Sequence, residues 1–202
     1  MLFLAGLSVY GPLLLFALYY QQIRGQSALL AGLMLAPQGI GSLLPRTLVG
    51  KLTERIGPRL IVVAGLLLTG LGTVAFTQAG PSTSQWLLAG SLLVRGAGLG
   101  AATIAVMAGA FEGVPHDEVP DASSTTRIVQ LVGGSFGAAV LAVILARQLT
   151  SLDALGAASR RAAFDIAFWW AIGFGVLAVL PALLLPSRGV SALLSAPARV
   201  PG

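Results

Sequence analysis

The chain has 202 residues, of which 56% are hydrophobic and only 9% are charged, and its mean hydropathy is +0.89. A soluble domain carries about a quarter charged residues, so this composition excludes a protein that faces water on all sides. The apolar stretches run for about twenty residues without the alternation typical of a transmembrane barrel. The composition therefore predicts an all-α membrane protein in contact with a lipid bilayer.

The formal net charge is +5, and the basic residues lie at predicted helix ends and in short loops. Nucleic-acid-binding domains collect basic and aromatic residues on one face, so we expect no nucleic-acid partner. The chain contains no cysteine, which excludes disulfides and thiolate metal sites.

Six apolar windows have the length of about twenty residues that crosses a hydrocarbon core. They lie at about 2–20, 28–49, 60–79, 86–108, 123–146 and 164–185. Polar or turn-forming segments separate the first four windows, at 21–26, 50–59 and 80–84. We predict one six-helix transmembrane domain over residues 1–185 and a disordered cytoplasmic tail over residues 186–202.

Two longer connections separate the last windows. Residues 112–121 hold four acids, His116 and two prolines, and predict a solvated acidic loop because the acids lack the spacing of a helical metal site. The segment 147–161 has mixed charges and predicts a short surface helix. Since the single histidine has no obvious serine partner, we expect no catalytic constellation, no metal and no cofactor.

The fourth and fifth windows contain glycines at helical spacing. Gly96 and Gly100, and likewise Gly133 and Gly137, are four residues apart and share a helix face. Small residues at this spacing let backbones approach closely in a membrane, so we predict helix packing at all four, with smooth contacts that would also permit rocking between states. Residues 96–101 also fit a dinucleotide fingerprint, but they lie inside an apolar run without a preceding strand, so no nucleotide site is expected.

Two polar residues in these windows each have two open interpretations. Arg95 lies about a third of the way into the fourth window, where a charge costs up to about 3 kcal/mol on translocon scales. It is either a functional residue or an arginine that snorkels to the headgroups. Gln130 either lines a cavity or forms an interhelical hydrogen bond. Asp121 and the Ser and Thr residues after it predict the start of the fifth helix.

Residues 50–59 carry four charges between two long apolar windows. Their pattern, G-x-L-x-E-R-x-G-x-R, resembles the loop signature of the major facilitator superfamily, in which Asp is usual at the position of Glu54 and a basic residue at that of Pro58. The resemblance implies a cytoplasmic conformational clamp. Its residues would be Gly50, Leu52, Glu54, Arg55, Gly57 and Arg59.

Further stretches resemble the same family. Residues 19–25 and 31–41 look like segments of fourteen-helix drug:proton antiporters, and the pattern R-x-x-Q-x-x-G-G-x-x-G over 127–137 resembles the eleventh-helix region of twelve-helix members. Residues 95–102 look like the fourth-helix motif with a spacing one residue short. The resemblance covers nearly the whole chain, as the C-terminal six helices of such an antiporter.

The resemblance implies that the chain is half of a secondary transporter and not an enzyme. Completed by an N-terminal half or by a second chain, the transporter would carry out multidrug efflux by proton antiport. The first, second, fourth and fifth spans would face a cavity for amphipathic, often cationic, molecules. The candidate lining residues are Tyr10, Phe16, Gln38, Arg95, Gln130 and Phe136.

The resemblance also implies an orientation and a location. Both termini and the clamp would lie in the cytoplasm, where a weak excess of basic residues, six against four, collects. The expected location is a bacterial inner membrane. The alternatives are a non-transporting truncated product, which the position of Met1 at the edge of an apolar window favours, and a six-helix membrane interaction module.

Overall fold

The structure, a computed structural model, describes residues 2–110, 119–152 and 157–183. This part of the chain forms helices throughout, connected by short turns. The helices are α1 Leu2–Gln22, α2 Ala28–Met34, α3 Ala36–Leu43, α4 Arg46–Ile56, α5 Pro58–Thr77, α6 Gln85–Ala110, α7 Val119–Leu152 and α8 Ala157–Ala182. Among the described residues, five helices (α1 and α5 to α8) are long and apolar enough to cross a membrane, which confirms the predicted all-α membrane fold.

The chain passes back and forth between two ends of a bundle. We call the end at which α4 meets α5, at Gly57, the clamp end, and the end at residues 78–84, where α5 meets α6, the distal end. Helices α1, α5 and α7 run from the clamp end to the distal end, and α6 and α8 run back. At the clamp end, Leu2, Val49, Ile61 and Ala182 belong to one apolar cluster.

The second predicted window, 28–49, is divided among α2, α3 and the start of α4. Pro37 lies in the first turn of α3, and Pro45 directly precedes α4. Proline has no N–H, and its ring clashes with the carbonyl group four residues earlier, so each proline interrupts the helical hydrogen bonds. The path from the distal end to the clamp end is therefore bent.

The last two helices are longer than their windows. Helix α7 begins at Val119, before the predicted start at Asp121, and has Pro120 in its first turn, where proline is tolerated. It continues to Leu152, and α8 begins at Ala157, so most of segment 147–161 extends these helices instead of forming a separate surface helix. Residues 111–118, which include most of the acidic loop and His116, lie outside the described residues, as do residues 153–156 and the predicted tail.

Six aromatic rings from α1, α5 and α8, which we call the aromatic cluster, close the distal half of the bundle. They belong to Phe16, Tyr19, Tyr20, Phe76, Phe164 and Phe168, and each is at most 1% exposed. The Phe16 ring lies edge-on to Phe76 with centroids 4.7 Å apart, and 5.1 Å from Phe168. Such aromatic pairs contribute about 0.5–1.5 kcal/mol beyond their buried area. The cluster therefore holds the three helices together.

Side chains of α1, α8 and their flanks also hold the α5–α6 connection at the distal end. All three donate to backbone carbonyl oxygens of the connection: Tyr19 Oη to Gly80 at 3.3 Å, an Arg24 Nη to Thr83 at 2.8 Å, and an Arg161 Nη to Gln78 at 2.6 Å. Hydrogen bonds that involve a charged donor are roughly twice as strong as neutral ones. These contacts fix the connection against the distal end of the bundle.

Helices α3 and α6 meet backbone to backbone at the first pair of predicted packing glycines. A methyl group on Gly96 would overlap the carbonyl oxygen of Gln38, and one on Gly100 would overlap that of Ser42. Such close approach is what small residues at this spacing permit in membrane bundles.

Helices α1 and α7 make the corresponding contact at the second pair. A methyl group on Gly133 would overlap the carbonyl oxygen of Phe3, and one on Gly137 would lie 2.8 Å from that of Leu7. Both glycine pairs thus lie where α6 and α7 contact neighbouring helices.

Candidate functional site

The residues of the predicted clamp are mostly helical. Gly50, Leu52, Glu54 and Arg55 lie in α4, so the tight turn expected around Glu54 is reduced to the single non-helical residue Gly57. The helix continues because residues 51–55 include good helix formers and because a positive charge in the last turn, that of Arg55, interacts favourably with the helix dipole. Arg59 lies in the first turn of α5.

Gly57 has a backbone conformation that other residues rarely adopt, with φ 86° and ψ 156°. We expect Gly57→Ala to lower the free energy of unfolding by about 1–3 kcal/mol, because alanine is strained at positive φ. Gly32→Ala is the control, since that glycine is helical and a methyl group there meets no atom within 4 Å. Unfolding by SDS in mixed micelles measures both variants. Equal stability of the two variants would show that alanine is not strained at position 57 and would contradict the backbone conformation of Gly57.

A partly open cavity lies near the clamp end, with about 450 Å³ of space between atoms, part of which is open to the surroundings. Among the predicted lining residues, it brings together Tyr10 and Gln130, and Thr103 adds a hydroxyl group. The other lining residues are Ala5, Gly6, Val9, Val62, Leu66, Ala102, Val106 and Ala178. Among the described residues, none of the second predicted span lines the cavity; α5 and α8 line it along with α1, α6 and α7.

Three other predicted lining residues lie elsewhere. Phe16 is fully buried in the aromatic cluster, because its ring packs against rings of α5 and α8. Gln38 is buried where α3 contacts α6, and its side-chain oxygen has no hydrogen-bond partner among the described residues. Phe136 is 55% exposed, and its ring centroid lies 5.8 Å from that of Phe3.

Arg95 is fully buried, so the snorkelling interpretation does not hold in the structure. Its guanidinium carbon lies 4.7 Å from the centroid of the Phe16 ring. Its Nε donates to Thr73 Oγ1 at 3.3 Å, and Nη2 donates weakly to the carbonyl oxygen of Val9 at 3.5 Å. Arg95 therefore joins α6 to both α1 and α5.

The partners of Arg95 were not predicted from the sequence. One signal was present in α5, where threonines recur every four residues at Thr69, Thr73 and Thr77 in a helix that is otherwise apolar after its first turn. The first two donate their hydroxyl protons to carbonyl oxygens four residues earlier, at 2.8 Å each. Hydroxyl groups that are satisfied in this way can still accept, as Thr73 does from Arg95.

Asp165 also differs from its predicted place. The predicted window 164–185 would put Asp165 at the start of a helix, but α8 begins at Ala157, so Asp165 lies within the helix and inside the candidate span Arg160–Ala182. Its side chain is half-buried, and one carboxylate oxygen has no hydrogen-bond partner among the described residues.

The chain is similar to several resistance proteins. It is 31% identical over 157 residues to the multidrug resistance protein B homolog of Mycobacterium tuberculosis, covering 77% of this chain and 29% of that protein. It is 29% identical over 198 residues to the puromycin resistance protein pur8 of Streptomyces alboniger, covering 92% of this chain and 39% of that protein. It is 24% identical over 147 residues to the methyl viologen resistance protein SmvA of Salmonella typhimurium, covering 73% of this chain and 30% of that protein.

The chain thus spans between 29% and 39% of the length of these relatives. The family model described as Major Facilitator Superfamily matches residues 1–200, almost the whole chain, and a length of 202 residues fits one half of such a fold. That family consists of transporters and not of enzymes. With its membrane-length helices, the chain is an integral membrane protein and belongs to the major facilitator superfamily.

Proposed function

We propose that this chain is the C-terminal half of a secondary transporter that exports amphipathic molecules by proton antiport together with an N-terminal half. The observation that carries the proposal is the partly open cavity at the clamp end. It has apolar walls with a few polar groups, from Tyr10, Thr103 and Gln130, as ligand sites usually do. Because the cavity is only partly enclosed, a second half would be needed to enclose a drug-sized molecule.

The substrate class follows from the cavity and from the relatives. Aromatic and amide groups suit flat or cationic organic molecules, which the face of an aromatic ring attracts. The relatives are named for resistance to multiple drugs, to puromycin and to methyl viologen. We carry this substrate class over to the present chain as part of the proposal.

In the proposed topology there are six spans, and α2 to α4 together form the second one. The clamp end faces the cytoplasm of a bacterial cell, and the protein lies in its inner membrane, in keeping with bacterial relatives. Glu54 would contact a helix N-terminus of the other half, whose unpaired N–H groups carry roughly half a positive charge. Its alternative partners within the chain, Arg55 and Arg59, would contribute about 0–1 kcal/mol.

The topology predicts opposite labelling of two introduced cysteines. The chain has no cysteine of its own, so Ser82→Cys at the distal end and Ile56→Cys at the clamp end can be labelled without background. Both positions are exposed. A membrane-impermeant thiol reagent should modify Ser82→Cys in intact cells and Ile56→Cys only after permeabilisation. The reverse pattern would contradict the proposed orientation.

The function itself is tested by a chimaera. In the puromycin resistance relative, the segment that matches this chain is replaced by the present sequence, and efflux-deficient bacteria are scored for puromycin resistance and ethidium efflux. The chimaera should give both activities, and the chain alone should give neither. Gln130→Leu in the chimaera should slow efflux several-fold, because it removes the buried amide of the cavity.

The matched control is Gln148→Leu, which changes the same residue type on the same helix but not at the cavity. It should leave efflux unchanged. A chimaera that inserts and reaches normal levels yet gives no resistance and no efflux would contradict the proposal and favour a membrane interaction module.

A further inference from the structure

Arg95 carries a positive charge into the interior of the bundle, and no carboxylate of the described residues forms an ion pair with it. Within the candidate membrane spans of the described residues, Asp165 is the one acidic residue. Asp165 lies six positions before Ala171, a residue of α8 that lines the same cavity as Arg95, which corresponds to about 9 Å along the helix axis. The oxygen atoms that do contact Arg95 belong to neutral groups, those of Thr73 and Val9.

A buried charge of this kind is costly unless it is paired. Transfer of an ammonium- or guanidinium-sized ion out of water costs several kcal/mol even after the protein relaxes. The face of the Phe16 ring offsets part of this cost, since a desolvated cation–π contact contributes about 2 kcal/mol. The remaining nitrogen, Nη1, is buried and has no hydrogen-bond partner among the described residues.

Arg95 borders a second, partly open cavity, distinct from the one at the clamp end. Helices α1, α5, α6 and α8 line it, and Arg95 is the one charged residue among its described lining residues. Ser8 of α1 contributes a hydroxyl group, and Gly70 of α5 and Gly175 of α8 leave room beside it. The cavity contains about 230 Å³ of space between atoms, part of it open to the surroundings, and its enclosed part has room for one water molecule or halide ion.

We propose that this cavity binds a small monovalent anion such as chloride, with Arg95 as its counter-charge and Ser8 as a second hydrogen-bond donor. The threonines of the lining do not compete for this role, because Thr69 and Thr73 donate their protons to backbone carbonyl oxygens. The anion neutralises the buried cation and gives Nη1 a hydrogen-bond acceptor. It also bridges α1, α5, α6 and α8 at one point.

Water is the competing occupant of the cavity. Pro12 has no N–H, so the carbonyl oxygen of Ser8, four residues earlier, lacks its helical partner, and a water molecule could link it to Arg95. Water leaves the charge of Arg95 uncompensated, whereas an anion cancels it in a medium of low dielectric constant. The charge therefore favours the anion, and the two occupants differ in their response to salt composition.

Equilibrium dialysis of the purified full chain in detergent micelles against radioactive chloride tests the proposal. We expect one saturable chloride per chain, displaced by bromide and nitrate and not by gluconate, which is too large for the cavity. Arg95→Gln should weaken binding at least tenfold. Arg147→Gln, which removes an exposed arginine on α7, should bind chloride as the unmodified chain does.

A second variant decides the result if Arg95→Gln does not fold. Gly70→Leu keeps Arg95 and adds volume at a residue that lines the cavity. A methyl group at this position meets no atom within 4 Å, so the variant should fold. Helical circular dichroism would verify its folding. This variant should also weaken chloride binding at least tenfold. The proposal is overturned if the unmodified chain shows no saturable chloride binding, or if a folded Arg95→Gln or Gly70→Leu variant binds chloride as tightly as the unmodified chain.

Discussion

Gly96→Ala is expected to lower the free energy of unfolding by about 1–3 kcal/mol, the usual effect of overpacking a well-packed interior. The added methyl group would overlap the carbonyl oxygen of Gln38, so α3 and α6 would have to move apart. Backbone atoms cannot rotate away as a flexible side chain can. Separation of the helices would also weaken the neighbouring contact at Gly100, where α6 meets the carbonyl oxygen of Ser42.

The control lies on the same helix. A methyl group at Gly90 meets no atom within 4 Å, so Gly90→Ala should leave stability unchanged or raise it by up to about 1 kcal/mol, the difference in helix propensity between the two residues. SDS titration in mixed micelles, followed by circular dichroism at 222 nm, measures both variants. If Gly96→Ala were as stable as Gly90→Ala, the close contact between α3 and α6 would be refuted.

The second large effect is expected in the aromatic cluster. Phe168 is fully buried and its ring centroid lies 5.1 Å from that of Phe16 and 5.7 Å from that of Phe76. In a micelle the unfolded chain still has apolar surroundings, so the transfer term that dominates in water is largely absent. The cavity term remains: removing roughly 100 Å³ at about 24 cal/mol per Å³ predicts a loss of about 2 kcal/mol for Phe168→Ala.

Trp169→Ala is the matched control, because it removes an even larger ring from the next position on α8. Trp169 is 57% exposed, so its removal leaves no internal cavity. We expect a change within about 0.5 kcal/mol, as for substitutions away from packed contacts. The same SDS titration applies. A loss at Trp169 equal to that at Phe168 would show that the aromatic cluster is not what holds α1, α5 and α8 together.

The features that the sequence predicted well are local ones. Helix type and membrane class follow from apolar run length, and the windows at 60–79 and 86–108 differ from α5 and α6 by only a few residues at their ends. The glycine pairs could be located because a spacing of four residues defines a helix face whatever surrounds it. The motif of residues 50–59 indicated the family, which the family model then confirmed.

The features that the sequence did not predict depend on contacts between distant segments or on the relation between helix and membrane. The mean hydropathy of a window does not register that Pro37 and Pro45 interrupt a helix. It therefore could not show that the second window is divided among α2, α3 and α4. Hydropathy also marks where a helix is apolar and not where it begins, which is why the window 164–185 starts seven residues after α8 does and puts Asp165 near its edge.

The cavity at the clamp end illustrates the same limit. Tyr10 and Gln130 were predicted as lining residues and lie together there, but Phe16 is in the core and α5 and α8 supply part of the wall. Only the packing of five helices decides which side of each one faces the cavity. The sequence could not decide between the two interpretations of Arg95 for the same reason, since the burial of its side chain depends on neighbours that the sequence does not reveal.

Coupling to protons places a further constraint on the proposed function. A proton antiporter needs a group at membrane depth whose protonation changes between states. Among the candidate spans of the described residues, the one carboxylate is that of Asp165, close to the distal end. We therefore expect the coupling acid of the complete transporter to lie in the other half.

The role of the chain as one half of a transporter is tested most directly in liposomes. The chimaera and the chain alone are reconstituted at equal protein-to-lipid ratios, a gradient of an amphipathic cation such as ethidium is imposed, and the internal pH is followed with a fluorescent dye. The chimaera should show proton movement that depends on the added cation, and the chain alone should show none. Cation-dependent proton movement by the chain alone, abolished by Asp165→Asn, would contradict the proposal and identify the 202-residue chain as a transporter in its own right.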